Sequence, residues 1–389
     1  MNNKNGILVI TDIFSPIRGG TAVWFDEVYS RLGGKEIHVV TGETPGSEVV
    51  DNAHPNAVHR VLLKHSKWVR PYSLPIYLNL ARACFGVVFR NRVGTVHAGK
   101  ALPEGLVGWF IARLFRLPLV IYAHGEEITT WRKSRRLYPM RFTYQHADKI
   151  IANSEFTRGE LIKLGVDAAR IEIISPGVNL ERYRPENAKS GLRESLGMQP
   201  KQKLILSVGR LNLRKGFDQV IRVLPDLAGR GIDAHYAIIG TGEGLEYLKL
   251  LAEEMGVRER VYFLGAVRDE DLPGWYYACD VFAMPNREIN GDTEGFGMVF
   301  LEAAACGKPS IAGEAGGTGA AVLHEVTGLR VDGASPEQVE QALEKLLSDD
   351  SMRATLGQAG LKRAREFFDW DVVAQKTASI VAALGRSPG

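Results

Sequence analysis

Residues 203–240, KLILSVGRLNLRKGFDQVIRVLPDLAGRGIDAHYAIIG, read as one strand, loop, helix and second strand. LILSV is a short continuous apolar run that stops at Gly209. A polar loop carrying Arg210 and Lys215 follows, an amphipathic stretch begins near Gly216, and YAIIG opens the next apolar run. Runs of this kind, apolar on both faces and separated by helices, mark strands of a parallel sheet whose crossover connections cover both sides.

The same rhythm extends outward in both directions. Before residue 203 it recurs in ILVITDI, EIHVVTG, VHRVLLK, TVHAG, LVIYAHG and KIIANS; after residue 240 in VYFLG, VFAMP, PSIAG and GLRV. The expectation is an α/β chain with two doubly wound, Rossmann-like parallel sheets. A length of 389 residues suits two domains better than one core. Residues 176–185, with Pro176, Gly177 and Pro185, have no strand pattern and read as the linker. The predicted domains are 1–178 and 179–370, with a last helix at about 371–389 that packs back on the first. Neither a fixed-period repeat nor a low-complexity run is visible.

Composition narrows the class. Hydrophobic residues are 45% and charged residues 24%, an ordinary soluble globular composition and not that of a disordered or membrane-spanning chain. The apolar run after Gly6 is broken by Thr11 and Asp12, so it reads as a first strand and not a signal peptide. No stretch approaches the roughly 18 apolar residues of a membrane span. Cys84, Cys279 and Cys306 are far apart without C-x-x-C spacing, which predicts buried free thiols in a reducing, cytoplasmic setting and no metal site.

Charge is uneven along the chain. Residues 1–180 carry 23 Lys plus Arg against 15 Asp plus Glu, a net of +8, so the overall +3 leaves −5 for the remainder. Between Ala57 and Arg141 the count is 15 basic to 3 acidic. Such a face fits a phosphorylated acceptor, a lipid headgroup or an anionic membrane surface; a merely solvated surface explains the count equally well. HSKWVRPYSLPIYLNLARACFGVVFRNR mixes Lys and Arg with Trp68, Tyr72 and Tyr77, as a membrane-surface helix would, although a core helix with a basic outer face reads the same way.

The segment with the sharpest chemistry is EGFGMVFLEAAACGKP, residues 294–309. Gly295 and Gly297 allow a tight turn, a helix runs from about Met298 to Cys306, and Gly307 stops it. Unpaired amides at the helix start favour a diphosphate. Glu294 lies just before that start and Glu302 inside the helix, so the two carboxylates can flank one ligand and accept hydrogen bonds from vicinal hydroxyls. An idle Glu302 among Leu301, Ala303, Ala304 and Ala305 would be costly to bury. Arg210 and Lys215 supply a planar fork and a point charge for phosphate oxygens, where negative charge grows as a nucleotide departs. Gly19 and Gly20 open a helix after the first strand and can admit a phosphate to the backbone, a weak signal alone. His124 ends a strand in LVIYAHGEEI; taken alone, such a histidine is more often structural. Gly240, Gly242 and Gly244 miss the G-x-G-x-x-G fingerprint, which counts against a dehydrogenase.

These motifs together resemble glycosyltransferase family 4 of the GT-B fold, with its Glu-x7-Glu, small-residue helix and Gly-x-Pro, and its Arg and Lys five apart. Residues 275–317 look most like the bacterial phosphatidylinositol mannosyltransferases that use GDP-mannose, and the likeness covers nearly the whole chain. The resemblance implies two Rossmann-like domains facing a central cleft and transfer with retention. It places Arg210, Lys215, Gly19, Gly20 and Gly209 around the donor diphosphate, Val267 near the base and Glu302 on the ribose. Met298 and Val299 amides meet the distal phosphate. Phe296 and Gly297 amides, with Glu294 and His124, meet the sugar; His124, Arg210, Lys215 and Glu294 are the expected catalytic residues. Asp12 and Glu126 are the expected acceptor contacts.

No carboxylate stands as an obvious covalent nucleophile, so a front-face mechanism is expected. No cofactor or metal is expected to be required, and the partners are a nucleotide-sugar donor, a phosphorylated or lipid-linked acceptor and an anionic membrane surface, with no nucleic acid. The expected place is the cytoplasm or the inner face of its membrane. The competing readings are a UDP-glucose or UDP-N-acetylglucosamine transferase of the same fold, a sugar phosphorylase holding pyridoxal phosphate, and a non-catalytic nucleotide-sugar binder.

Overall fold

The computed structural model describes residues 6–17, 19–65 and 72–384. They form two units: the described residues up to 176 with 370–384, and residues 177–369.

The first unit holds a seven-stranded sheet. Its strands are β1 (Gly6–Ile10), β2 (Ile37–Gly42), β3 (Ala57–Val61), β4 (Val93–Ala98), β5 (Leu119–Ala123), β6 (Lys149–Ala152) and β7 (Ile171–Ile173). They pair in parallel in the order β3-β2-β1-β4-β5-β6-β7. Leu8, Val9 and Ile10 are wholly buried, as a run apolar on both faces requires. β7 was not anticipated from the sequence. Its three residues, IEI, lie at the sheet edge with Glu172 paired to Lys149, too short and too charged to read as a buried run. In the same unit the helix Trp370–Leu384 packs on the helix Gly20–Leu32, burying Trp370, Val373, Ala374, Thr377 and Ile380.

The second unit has six strands: β8 (Lys203–Val208), β9 (Ala234–Ile239), β10 (Val261–Gly265), β11 (Val281–Met284), β12 (Ser310–Gly313) and β13 (Gly328–Val331). All pair in parallel, in the order β10-β9-β8-β11-β12-β13. The helix Phe217–Gly229 buries Phe217, Val220, Ile221, Leu224 and Leu227, one face at helical spacing. Each such side chain taken from water is worth about 1.5–3 kcal/mol before entropy is counted. The expected two doubly wound sheets are therefore present.

Topology decides where a ligand fits. From β8 the chain winds outward to β10, then returns to lay β11 on the other flank of β8. The winding direction therefore reverses between β8 and β11, and between β1 and β4 in the first unit. Loops at the carboxyl ends of such strands part and leave a crevice. In the second unit the flanking loops approach so closely that a Cβ on Gly216, whose φ is 78°, would lie 2.1 Å from the Pro285 carbonyl oxygen. Only glycine meets both demands there. Among the described residues no helix is long and apolar enough to cross a membrane.

Candidate functional site

β8 ends at Val208, and Gly209 and Arg210 carry the chain onto the carboxyl edge of the sheet. Arg210 is exposed, and its guanidinium has no side-chain partner among the described residues. A short turn, Leu213–Lys215, then leads through Gly216 into the helix Phe217–Gly229. Lys215 stands in that turn and not in the helix.

The loop after β11 meets this turn. Lys215 Nζ donates to Glu294 Oε2, and Arg214 Nη1 donates to the same oxygen at 3.1 Å. Arg214 Nε lies 3.1 Å from Asp292 Oδ2, and the Arg214 carbonyl accepts from the Arg287 amide at 2.8 Å. Arg287 in turn grips both oxygens of the buried Asp218 at 3.0 and 2.8 Å. Side-chain exposures of 10% for Arg214, 14% for Lys215 and 12% for Glu294 make this a largely dry cluster. Burial alone would raise the Glu294 carboxyl. The charges and hydrogen bonds of Lys215 and Arg214 outweigh it and hold the group below its ordinary value.

Glu294 is also pinned by its backbone. Its carbonyl accepts from the Gly317 amide at 2.7 Å, and Gly316, at φ 76°, passes so close that a Cβ would come within 2.1 Å of that oxygen. The helix Met298–Ala305 begins after Gly297, with Met298 and Val299 half-buried at its first turn. Phe296 is buried, with its ring 6.0 Å from Phe368, so its side chain belongs to the core and only its backbone is free to serve a ligand. Gly307, at φ 67°, follows the helix end.

Glu302 is held differently from Glu294. Its Oε2 accepts from the Tyr276 hydroxyl at 2.6 Å, and burial raises its carboxyl despite that bond and the nearby Arg182. Val267 is half-buried, packed with Leu180, Tyr262, Leu264 and Leu272 against the apolar cluster that contains Val178, Tyr183, Leu206 and Tyr276. Lys215 and Glu294 are thus brought into direct contact, whereas Glu302 has its own partner. Arg214, Asp292 and Tyr276 were missed in the sequence reading. The only hint of the first was its place beside Lys215.

In the first unit, Asp12 follows β1 and Lys100 follows β4, across the reversal of winding. Lys100 Nζ bonds Asp12 Oδ2 at 2.5 Å. The Asp12 amide donates to Glu104 Oε1 at 3.0 Å, and Lys100 Nζ lies 3.7 Å from that oxygen. Glu104 is fully buried, its Oε2 has no partner, and burial pushes its carboxyl up to about 8 against the pull of Lys100. Gly19 and Gly20 are exposed at the start of the helix Gly20–Leu32, and a Cβ on Gly19 would meet nothing within 4 Å.

His124 follows β5. Its Nε2 lies 2.8 Å from the Gly99 carbonyl oxygen, and its ring meets the edges of Trp24 and Phe25 at 5.6 and 6.4 Å. A carbonyl only accepts, so Nε2 is the donor in this bond. Glu127 supports the turn, accepting from the His124 amide at 2.9 Å and the Tyr144 hydroxyl at 2.7 Å. Glu126 is exposed. Among the described residues no group of three or more His, Cys, Asp or Glu could hold a metal ion, and the three cysteines are buried and free.

Comparisons with known proteins agree with this architecture. Residues 18–182 match the family described as Glycosyltransferase Family 4, and residues 189–363 match that described as Glycosyl transferases group 1. The GDP-mannose-dependent alpha-(1-6)-phosphatidylinositol monomannoside mannosyltransferase of Mycobacterium tuberculosis (strain CDC 1551 / Oshkosh) is 33% identical over 96% of this chain and 97% of its own. The D-inositol 3-phosphate glycosyltransferase of Streptomyces bingchenggensis is 32% identical over 95% of this chain and 85% of its own. Among solved structures, Anabaena Alr3699/HepE in complex with UDP and glucose superposes with a TM-score of 0.82 at 21% identity, covering 97% of this chain and 99% of that one. Sucrose-phosphate synthase from Thermosynechococcus elongatus gives 0.82 at 22% identity, covering 97% and 98%.

Proposed function

Because the chain belongs to glycosyltransferase family 4 and has the GT-B fold, we propose that it moves mannose from GDP-mannose, with retention, onto a hydroxyl of an anionic, lipid-linked acceptor. One observation carries the donor half of this reading. At the reversal point of the second sheet, Arg210 is exposed with no side-chain partner among the described residues, and Lys215 meets Glu294, which is fixed by its backbone. Two cations and the amides at the start of the helix Met298–Ala305 would hold the diphosphate, and Glu294 would accept hydrogen bonds from sugar hydroxyls. Glu302 would take the ribose hydroxyls.

As the glycosidic bond breaks, charge accumulates on the diphosphate, where Arg210 and Lys215 stabilise it. The departing oxygen then accepts the acceptor's proton on the same face. This arrangement draws its positive charge from side chains and amides, so activity is expected to survive a chelator. The choice of GDP and mannose follows relatives at 28–33% identity named for GDP-mannose-dependent transfer to phosphatidylinositol mannosides.

The first unit supports a membrane-borne acceptor. Leu78, Phe85 and Phe89 on the helix Leu74–Arg90, and Phe110 and Leu114 on the neighbouring helix Leu106–Phe115, are exposed among Arg82, Arg90, Arg113 and Arg116. Apolar groups flanked by arginines suit an anionic lipid surface. Of the aromatic residues singled out earlier, Tyr72 is exposed, Tyr77 packs against the core, and Trp68 lies outside the described residues.

The test is a thermal-shift panel of GDP-mannose, UDP-glucose and UDP-N-acetylglucosamine, followed by radiolabelled transfer to phosphatidylinositol mannosides in anionic vesicles. Stabilisation by GDP-mannose above the others and label in the lipid phase are expected. Preference for a UDP-sugar would reject the donor, and failure to sediment with anionic vesicles would reject the membrane surface.

A further inference from the structure

Under the donor-site reading above, Lys215 has two claimants, since its ammonium is bound to Glu294 and a diphosphate would need it too. We propose that Arg214 is the positioning residue that keeps Glu294 in place when a nucleoside diphosphate takes Lys215. The inference rests on the donor-site reading but concerns a residue which that reading does not use.

The two neighbouring cations differ in how they are held. Arg214 is fixed at both ends: its guanidinium reaches Glu294 and Asp292, each at 3.1 Å, and its carbonyl receives the Arg287 amide. Lys215 has Glu294 as its side-chain partner and a flexible stem. A guanidinium can serve two carboxylates in one plane, whereas an ammonium is a point charge that can turn to a new anion without disturbing the loop. Arg214 and Lys215 together balance Asp292 and Glu294. Remove Lys215 to a phosphate and Arg214 still bonds Glu294; without Arg214 the carboxylate would be stranded, nearly dry, beside an incoming diphosphate. Arg214 therefore lets Lys215 go.

A purely structural tie between the loops after β8 and β11 would explain the same bonds, so the test must separate the two. GDP binding is measured by calorimetry for the wild type, Arg214→Gln, Glu294→Gln and the double variant, with UDP as a second probe. On the inference, Arg214→Gln weakens GDP about tenfold, because Glu294 then holds Lys215 alone, and Glu294→Gln abolishes that loss in the double variant. Arg214→Lys should recover part of it. A tenfold loss that persists in the Glu294→Gln background would make Arg214 a phosphate ligand and overturn the proposal. No loss at all would overturn it too.

A second readout stands without turnover. In protein labelled with carboxyl-13C glutamate, Arg214→Gln should move the Glu294 titration upward, since Arg214 and Lys215 are the cations bonded to it, with Asp292 on the far side of Arg214. An unmoved titration refutes the Arg214 role. If the wild type binds neither GDP nor UDP, the donor-site reading fails by itself, and the titration still decides whether Arg214 governs Glu294.

Discussion

Substituting Glu294 by glutamine removes one charge and keeps the shape of the side chain, and it should change binding and catalysis in opposite directions. Lys215 and Arg214 both donate to Glu294 Oε2. A hydrogen bond between charged groups is worth about 1.5–3 kcal/mol, and about 1.4 kcal/mol is a factor of ten, so releasing Lys215 could tighten a diphosphate roughly 10- to 100-fold. Arg214 already shares the oxygen, which puts the expected gain for GDP near the lower end, about tenfold. On the proposed donor site the sugar would lose its carboxylate acceptor, so kcat/KM with the sugar nucleotide should fall about 100-fold, or roughly 2.7 kcal/mol of transition-state stabilisation. Calorimetry with GDP and initial rates of transfer measure the two effects. Weaker or unchanged GDP binding in Glu294→Gln would refute the idea that the pair must open for the donor.

Arg210 is exposed without a side-chain partner among the described residues, so Arg210→Ala should leave the melting temperature within about 1 °C while lowering kcat about 100-fold; parallel loss of stability would mean that its role is structural. Glu104 ionises at about 8 when folded against an ordinary 4.5. Between those values the folded chain keeps a proton that the unfolded chain has released, so stability falls by about 1.4 kcal/mol per pH unit as pH rises through the window. Glu104→Gln has no such proton, and urea denaturation should show it gaining on the wild type from pH 5 to pH 8.5; a constant difference would contradict the assignment. Gly216→Ala must bear φ 78° and a Cβ 2.1 Å from the Pro285 carbonyl, so it should lower stability by at least about 1–3 kcal/mol and impair donor binding together; a neutral result by thermal melting would show that the β8 and β11 loops can part freely.

The parallel strands were legible because burial on both faces leaves an uninterrupted apolar run, as in LVIYA and KLILSV. β7 escaped for the same reason in reverse. At a sheet edge, IEI can expose Glu172 to Lys149, and three residues leave no run to find. Gly307 as a helix stop was also readable, since a left-handed residue there is a local demand. The contact of Gly216 with Pro285 was not, because it arises only when β11 is laid beside β8.

The site divides along the same line between local and assembled information. Arg210, Lys215, Glu294 and Glu302 could be named because their spacing within each motif follows from the geometry of one loop and one helix. That Lys215 and Glu294 bond each other could not, since it depends on two loops 79 residues apart meeting at a single edge. Motif spacing names candidate groups, whereas the fold shows which of them bond one another. Arg214 and Lys215 offset the cost of drying Glu294, while Asp292 keeps 39% of its side chain in water, and a diphosphate would have to displace part of that balance. Arg214 looked like an ordinary basic loop residue for this reason: its partners, Asp292 and Glu294, lie on the other loop. Its importance is a property of the assembled crevice.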